Sequence, residues 1–247
     1  MRRFHAQALT RIRWVSSTKP TRWLFRLLGL LLLGLVLWQG WYLGWVLWWR
    51  DHDPDQTHFM AQRLAELREQ NPKAELHHVW VPYEKISIHL KRAVIAAEDD
   101  KFIDHEGFDW EAIQKAIEKN EKKGRIVAGG STISQQLAKN LFLSGKRTPW
   151  RKAQEALITI WLETFWDKRR ILEVYLNVVE WGEGIFGAEA AARRYFGISA
   201  GRLAPEQAAR LAVMLPAPRR YEKNPYSPYL NRRTQQIVGR MHLSSTP

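Results

Sequence analysis

Between Ala93 and Asp109 the chain reads Ala93-Val94-Ile95-Ala96-Ala97-Glu98-Asp99-Asp100-Lys101-Phe102-Ile103-Asp104-His105-Glu106-Gly107-Phe108-Asp109. The apolar run Ala93–Ala97 leads straight into Glu98, which places that carboxylate where a packed helix gives way to a polar loop. Six carboxylates lie within the fourteen residues from Ala96 to Asp109. A carboxylate half in an apolar setting has a raised pKa and can act as an acid or base near neutral pH. Taken alone, acidic residues at a helix end read as a solvated loop. The segments further along the chain shift that balance.

Working outward, the pattern from Ser87 onward is helical almost throughout. Ile88 and Val94-Ile95 belong to the helix that runs into Glu98, and Asp109 is an N-cap for a helix carrying Ile113, Ala116 and Ile117. Residues 124–130 read as a loop with Ile126-Val127 exposed. Ser131 opens a helix with Ile133, Leu137 and Leu141 on one face. Thr148-Pro149 is an N-cap and first-turn pair for a helix to about Trp166. Further helices are expected over 168–178, in the Ala-rich 187–196, from Pro205 to Pro216, and from Ser227-Pro228 onward. Alternating strand patterns are scarce, so the fold class is mainly α.

Toward the N-terminus, Leu27–Trp49 is a run of 23 uncharged residues rich in Leu, Trp and Gly. As a helix it spans ~34 Å, enough for a ~30 Å hydrocarbon core. Trp23 stands at one end and Trp45, Trp48 and Trp49 at the other, as interfacial aromatics do. The run is too long for a signal-peptide core and has no small-x-small site after it, so it reads as a retained anchor. Residues 1–26 form a basic arm with Arg2, Arg3, Arg11, Arg13, Lys19, Arg22 and Arg26. The positive-inside rule puts that arm in the cytoplasm and everything after the span on the far side.

The formal charge is +13, yet residues 1–50 hold eight basic residues and no acidic ones, leaving +5 for the rest. That distribution, with no zinc-finger or RNA-binding pattern, argues against nucleic acid. The absence of cysteine excludes disulfides and thiolate metal sites. Residues 50–79 read as a connector, with helical composition from Ala61 to Gln70 (Leu64 and Leu67 spaced i, i+3), Val79-Trp80-Val81 as a short extended piece and His77-His78 as surface histidines.

Two further segments carry chemistry. Gly129-Gly130-Ser131-Thr132 precedes a helix on which Gln136, Lys139 and Asn140 form one polar face. Glycines allow close backbone approach to a ligand, and free N–H groups at a helix start suit an anion. In Arg151-Lys152-Ala153-Gln154-Glu155, the two cations sit i−4 and i−3 from Glu155, a helical salt-bridge cluster worth a few tenths of a kcal/mol per pair. The same trio is also able to hold a diphosphate. A third stretch, Lys168–Asn177 followed by Trp181-Gly182-Glu183-Gly184, looks structural, its glycines implying a tight turn near the site.

Glu98-Asp99-x-x-Phe102-x-x-His105-x-Gly107-x-Asp109, Gly130-Ser131-Thr132-Ile133-Ser134-Gln135-Gln136-Leu137-Ala138-Lys139-Asn140 and Arg151-Lys152-x-x-Glu155 resemble the first three motifs of the peptidoglycan glycosyltransferases, glycosyltransferase family 51. Ile171-Leu172-Glu173-x-Tyr175-Leu176-Asn177 with Gly187-x-Glu189-Ala190-Ala191-x-x-Tyr195-Phe196-Gly197 resembles the fourth motif. Leu211-Ala212-x-Met214-Leu215-Pro216-x-Pro218-x-x-Tyr221 with Asn224-Pro225 resembles the fifth. The match runs in order over about residues 80–230, and the anchor and length resemble the monofunctional members. Ser134 stands where the family more often has Thr, and both carry a hydroxyl. Ser16-Ser17-Thr18-Lys19 matches S-x-x-K, but it lies in the arm and has no K-T-G partner.

The resemblance implies a lysozyme-like, mainly α domain over 80–247 with a cleft between two helical lobes. It implies polymerisation of lipid II, with β-1,4 linkages formed by inversion. Glu98 would be the general base on the GlcNAc 4-hydroxyl, and Glu155 the second carboxylate, assisting the diphosphate directly or through a divalent cation (Mg²⁺ or Mn²⁺). No organic cofactor is implied. Lys139, Arg151 and Lys152 would neutralise the leaving group. Ser131, Thr132, Gln136 and Asn140 would hold the donor strand, and Asp99 and Phe102 would shape the site around Glu98. The expected setting is the inner membrane, single-pass, with the catalytic domain periplasmic. Lipid II, nascent peptidoglycan and the membrane are the implied partners, with divisome or penicillin-binding proteins as recruiting ones. A lysozyme-like hydrolase and a non-catalytic divisome scaffold are the competing readings. The cation cluster weighs against the hydrolase, because a neutral glycan gives it nothing to hold.

Overall fold

The computed structural model describes residues 19–125, Val127, 129–145 and 148–247. Most of the basic arm, the S-x-x-K run before Lys19 and Ile126 lie outside the described residues. The chain divides into two units, one ending at Trp41 and one comprising residues 42–247. The first helix, α1 (Lys19–Asp51), extends past both ends of the expected 27–49. Nothing in Lys19–Arg26 breaks a helix once Pro20 occupies its first turn. Between Trp23 and Asp51 it is long and apolar enough to cross a membrane, and Leu30, Leu31, Leu33 and Leu37 are all exposed. A helix apolar on every side has lipid as its natural surroundings.

The second unit begins with the last turns of α1. Trp49 and Tyr42 pack against Phe142, Val46 is fully buried, and the Trp166 indole N–H donates to the Val46 carbonyl at 2.8 Å. The aromatics expected at a membrane interface are thus partly used to seat the domain. Then follows α2 (His58–Gln70), capped by Thr57, with Phe59 and Met60 buried. This helix lies in the stretch expected as a connector. It begins three residues before the helical stretch 61–70 read from Leu64 and Leu67, and its two buried residues, Phe59 and Met60, lie in that added turn. β1 (His77–His78) follows, then α3 (Ile88–Glu98), α4 (Trp110–Lys123), α5 (Ile133–Phe142), α6 (Pro149–Phe165) and α7 (Lys168–Val178). The chain continues through β2 (Glu180–Gly182), β3 (Ile185–Phe186), α8 (Ala188–Phe196), α9 (Pro205–Met214), α10 (Pro218–Tyr221) and α11 (Pro228–Arg240).

Local chemistry explains most of these ends. Asp109, Thr148 and Asp167 accept from backbone N–H groups in the first turns of α4, α6 and α7. Thr132 and Gln135 form a full capping box at α5. Helices α6, α9, α10 and α11 begin with Pro in the first turn. α3 packs on α9 and α11, while α5 packs on α6, α7 and α2. These two groups of helices share a core from Leu90 and Ile95 through Leu137 and Ile158 to Leu211.

The sheet is minor, in the order β1-β3-β2. β1 pairs parallel to β3, and β2–β3 is the hairpin of the expected glycine turn. The extended piece therefore falls on 77–78 and not on 79–81. His78 is half-buried rather than a surface histidine. Its Nε2 lies 3.0 Å from the Asn177 carbonyl, and burial pushes its pKa below the ordinary imidazole value. In the hairpin, a side chain added at Gly182 would meet Tyr195 and Glu222, and one at Gly184 would meet Leu67.

Candidate active site

Helix α3 ends at Glu98, with Asp99 as its C-cap. Across from it, Gln136 on α5 donates from Nε2 to Glu98 Oε2 at 2.9 Å. Gln136 is itself aimed by the Tyr175 hydroxyl on α7, which donates to its Oε1 at 2.9 Å. Burial is the main influence on Glu98 and pushes its pKa above the ordinary carboxylate value. The Gln136 bond and the charges of Lys139 and Arg233 oppose it, and Asp99 adds to the rise. Glu98 therefore has the poise the sequence suggested.

Lys139, one turn beyond Gln136, stands in the field of both Glu98 and Glu155. Burial lowers its pKa, the two carboxylates raise it, and Arg151 and Lys152 lower it. On α6, Glu155 is buried and both its oxygens meet cations. Arg151 Nη1 lies 2.5 Å from Oε2, and Lys152 Nζ contacts Oε1. Lys152 also reaches Ser131 Oγ at 3.5 Å. Three cations against Glu155 leave this side of the site electropositive. The Arg151 Nε–H is buried with no partner among the described residues. An orphaned donor of that kind is expensive, and with Arg151, Lys152 and Lys139 around one carboxylate the cluster keeps an excess of positive charge. The same donor set does not suit Mg²⁺ or Mn²⁺, because Glu155 faces two cations. Among the described residues, no three His, Asp or Glu side chains gather to hold a metal.

The loop between Glu98 and α4 is fixed by buried bonds that the sequence did not reveal. Asp99 accepts the Ile133 N–H at 2.9 Å, tying the end of α3 to the start of α5. Its other oxygen is 2.9 Å from His105 Nε2. The Gly107 N–H donates to His105 Nδ1 at 3.1 Å. Gly107 adopts φ +86°, and a Cβ there would lie 2.7 Å from Thr159 Cγ2, so only glycine fits. Below the loop, Glu163 accepts from Ser134 Oγ and, at 2.9 Å, from Lys168 Nζ. Lys168 also caps the His105 carbonyl and lies 4.7 Å from the Phe102 ring centroid. Glu163, at i+8 from Glu155, shares its side of α6. That spacing is the one signal that marks it in the sequence.

Several expected ligand-holding residues are engaged elsewhere. Thr132 is buried, its hydroxyl donating to the Gly107 carbonyl at 2.7 Å and capping α5. It builds the site instead of offering a free hydroxyl. Phe102 is fully buried, so it supports the loop from beneath. Asn140 is buried as well, which splits the polar face expected with Gln136 and Lys139. Gly130 approaches protein backbone and not open space, since a Cβ there would meet Ile113 Cα at 2.8 Å. Ser131 and Gly129 remain exposed. Val127, the described half of the expected apolar loop pair, is exposed and donates its N–H to Asn120 at 2.7 Å.

A mainly helical domain that sets a poised carboxylate near a cluster of three cations, in a chain whose N-terminal helix is long and apolar enough to cross a membrane, fits the class of group-transfer enzymes that work at a membrane. Residues 63–242 match the family model for Transglycosylase. The biosynthetic peptidoglycan transglycosylase of Azoarcus sp. (strain BH72) is 64% identical over 226 residues, covering 92% of this chain and 97% of that protein. The protein of the same description from Dechloromonas aromatica is 63% identical, with 90% and 98% covered. That of Chromobacterium violaceum is 58% identical, with 92% and 100% covered. The chain belongs to the transglycosylase family and is a glycosyltransferase.

Proposed function

We propose that this glycosyltransferase polymerises the glycan strands of peptidoglycan from lipid II. Glu98, ionised, takes the proton from the acceptor GlcNAc 4-hydroxyl. The oxygen attacks C1 of the donor MurNAc on the growing strand, and the C1–O bond to undecaprenyl diphosphate breaks, inverting α to β and forming a β-1,4 linkage. Gln136 and Lys139 keep Glu98 ionised and aimed. Arg151, Lys152 and Lys139 receive the negative charge that accumulates on the diphosphate, which is where preorganised electrostatics contribute most. Glu155 holds the two α6 cations in place until the diphosphate reaches them.

The observation that supports this reading best is the excess of cations, Arg151, Lys152 and Lys139, around the single carboxylate of Glu155. A hydrolase of neutral glycans has no use for it. The domain meets its lipid-borne substrate at the membrane, anchored by α1. Arg22 and Arg26 lie on the cytoplasmic side of the inner membrane, and residues 51–247 in the periplasm. Divisome or penicillin-binding proteins are the proposed recruiting partners.

The test uses detergent-solubilised protein with labelled lipid II, wild type against Glu98→Gln, with products resolved on a gel. A lysozyme-sensitive ladder from the wild type alone is expected. Cleavage of preformed glycan would turn the reading to the hydrolase. A folded wild type with neither activity would turn it to the scaffold.

A further inference from the structure

Glu98 is the last residue of α3, and helix ends fray unless something holds them. Gln136 holds its carboxylate, but its backbone stands where the helical path stops, because Asp99 turns away at φ −162° and ψ 74°. Two side chains from the far end of the chain grip the residues on either side. Arg240, the last residue of α11, donates from Nη2 to the Ala96 carbonyl. Ser244 donates from Oγ to Asp100 Oδ1 at 3.2 Å. Each contact spans 144 residues of sequence. Ala96 and Asp100 stand two residues before and two after Glu98.

Both contacts have a local cause. Carbonyls in the last turn of a helix lack an intrahelical N–H, and a cation there also meets the negative end of the helix dipole. The Arg240 guanidinium serves α3 in both ways. Packing delivers it. Leu230, Thr234, Ile237 and Met241 are buried at i, i+4, i+7 and i+11, and they seat α11 and the turn after it against α3 and α9. Arg233, two turns before Arg240, brings its charge to Glu98 from the same helix. Beyond α11 the Ser244 N–H returns to the Met241 carbonyl at 3.3 Å, and Ser244 is only 5% exposed. The Tyr83 hydroxyl fastens the segment further on, donating to the Pro247 carbonyl at 2.8 Å.

We infer that Arg240 and Ser244 are positioning residues: by holding Ala96 and Asp100 they fix the direction from which Glu98 meets the acceptor hydroxyl. The inference rests on the reading of Glu98 as the base. Asp99 ties the end of α3 to α5, and a tie on one side leaves the last turn free to rock about it. The grips on Ala96 and Asp100 come from a different helix and the turn beyond it, and they remove that freedom. A displacement of ~1 Å at a reacting group costs about 10²-fold in rate, whereas a single partly exposed hydrogen bond contributes little to stability. The two contacts therefore act on kcat well before they act on the fold.

The test follows glycan synthesis from labelled lipid II by the full-length protein in detergent. Arg240→Met removes the donor, and kcat should fall about tenfold with KM within about twofold of wild type. Arg240→Lys still caps the carbonyl and should recover most of that loss. Ser244→Ala should cost about threefold in kcat. In the already slow Glu98→Gln protein, adding either Arg240→Met or Ser244→Ala should cost less than about twofold, because no base is left to aim. Wild-type kcat for both folded variants, or the same loss with and without Glu98, would overturn the assignment. Should Arg240→Met fail to fold, Ser244→Ala alone decides by the same two comparisons. A Glu98→Gln protein that polymerises at the wild-type rate would remove the base itself, and this inference with it.

Discussion

Gln136 and Glu98, 38 residues apart in the chain, are joined by a 2.9 Å hydrogen bond that lowers the pKa burial has raised. The base is active only when ionised, so kcat/KM should rise with pH through an acid limb set by a pKa above 4.5. Gln136→Ala removes a stabiliser of the carboxylate, and the limb should move to higher pH. Lys139→Met should move it the same way. Glu98→Gln should lower the rate by about 10²–10⁴-fold at every pH. Profiles that superimpose for wild type and Gln136→Ala would show that the bond does not tune the base.

Arg151 and Lys152 grip the two oxygens of Glu155. Arg151→Ala should cost about 10²–10³-fold in kcat, the scale of losing one preorganised donor to developing charge. Lys152, half-exposed and flexible, should cost less. Glu155 is satisfied by cations, and among the described residues no three His, Asp or Glu side chains gather to hold a divalent ion, so polymerisation measured in EDTA should stay within about fivefold of that in Mg²⁺. Abolition by EDTA, restored by Mg²⁺, would mean that Glu155 leaves its two cations during turnover.

The parts of this fold that could be read from the chain are those encoded locally. Asp109 and Thr148 announce helix starts because a cap is satisfied within three residues. The i, i+4 pairing of Arg151 with Glu155 follows from helix geometry alone. What could not be read is which helix faces which. Tyr175 meets Gln136 across 39 residues, and Ser134 meets Glu163 across 29, and no periodicity specifies such partners. Thr132 and Phe102 illustrate the cost. Their types suit a ligand, but the Gly107 carbonyl takes the hydroxyl and the core takes the ring. Helix α2 is legible over 61–70 from Leu64 and Leu67, but its first turn is not, because Phe59 and Met60 are neighbours in sequence and show no helical spacing.

Asp99 joins the end of α3 to the start of α5 and orients His105. Asp99→Ala leaves the Ile133 N–H and His105 Nε2 buried without that partner, a cost of about 1–3 kcal/mol. The melting temperature should fall by several degrees, and activity should fall further than stability explains, because Glu98 is the adjacent residue. Asp99→Asn retains an acceptor for Ile133 and should recover most of the stability. Equal melting temperatures for Ala and Asn would show that this tie contributes little.

Glu180 on β2 is buried, with one oxygen 3.1 Å from Arg63 Nε and the other without a partner among the described residues. Burial pushes its pKa up to about 7 from 4.5, against the opposing charges of Arg63 and Arg219, with Glu222 adding to the rise. Below about pH 4.5 the folded and unfolded chains both hold this proton, and the group costs nothing. Between 4.5 and about 7 the unfolded chain has released its proton while the folded chain keeps it, so stability falls as pH rises. Above that window the loss is complete, at most about 3 kcal/mol. Glu180→Gln carries no charge to bury and should escape this fall. Melting curves from pH 5 to pH 8 should therefore diverge, with the wild type losing several degrees relative to the variant. Parallel curves would mean that Arg63 keeps Glu180 ionised in the fold, and that its unpartnered oxygen is reached by water.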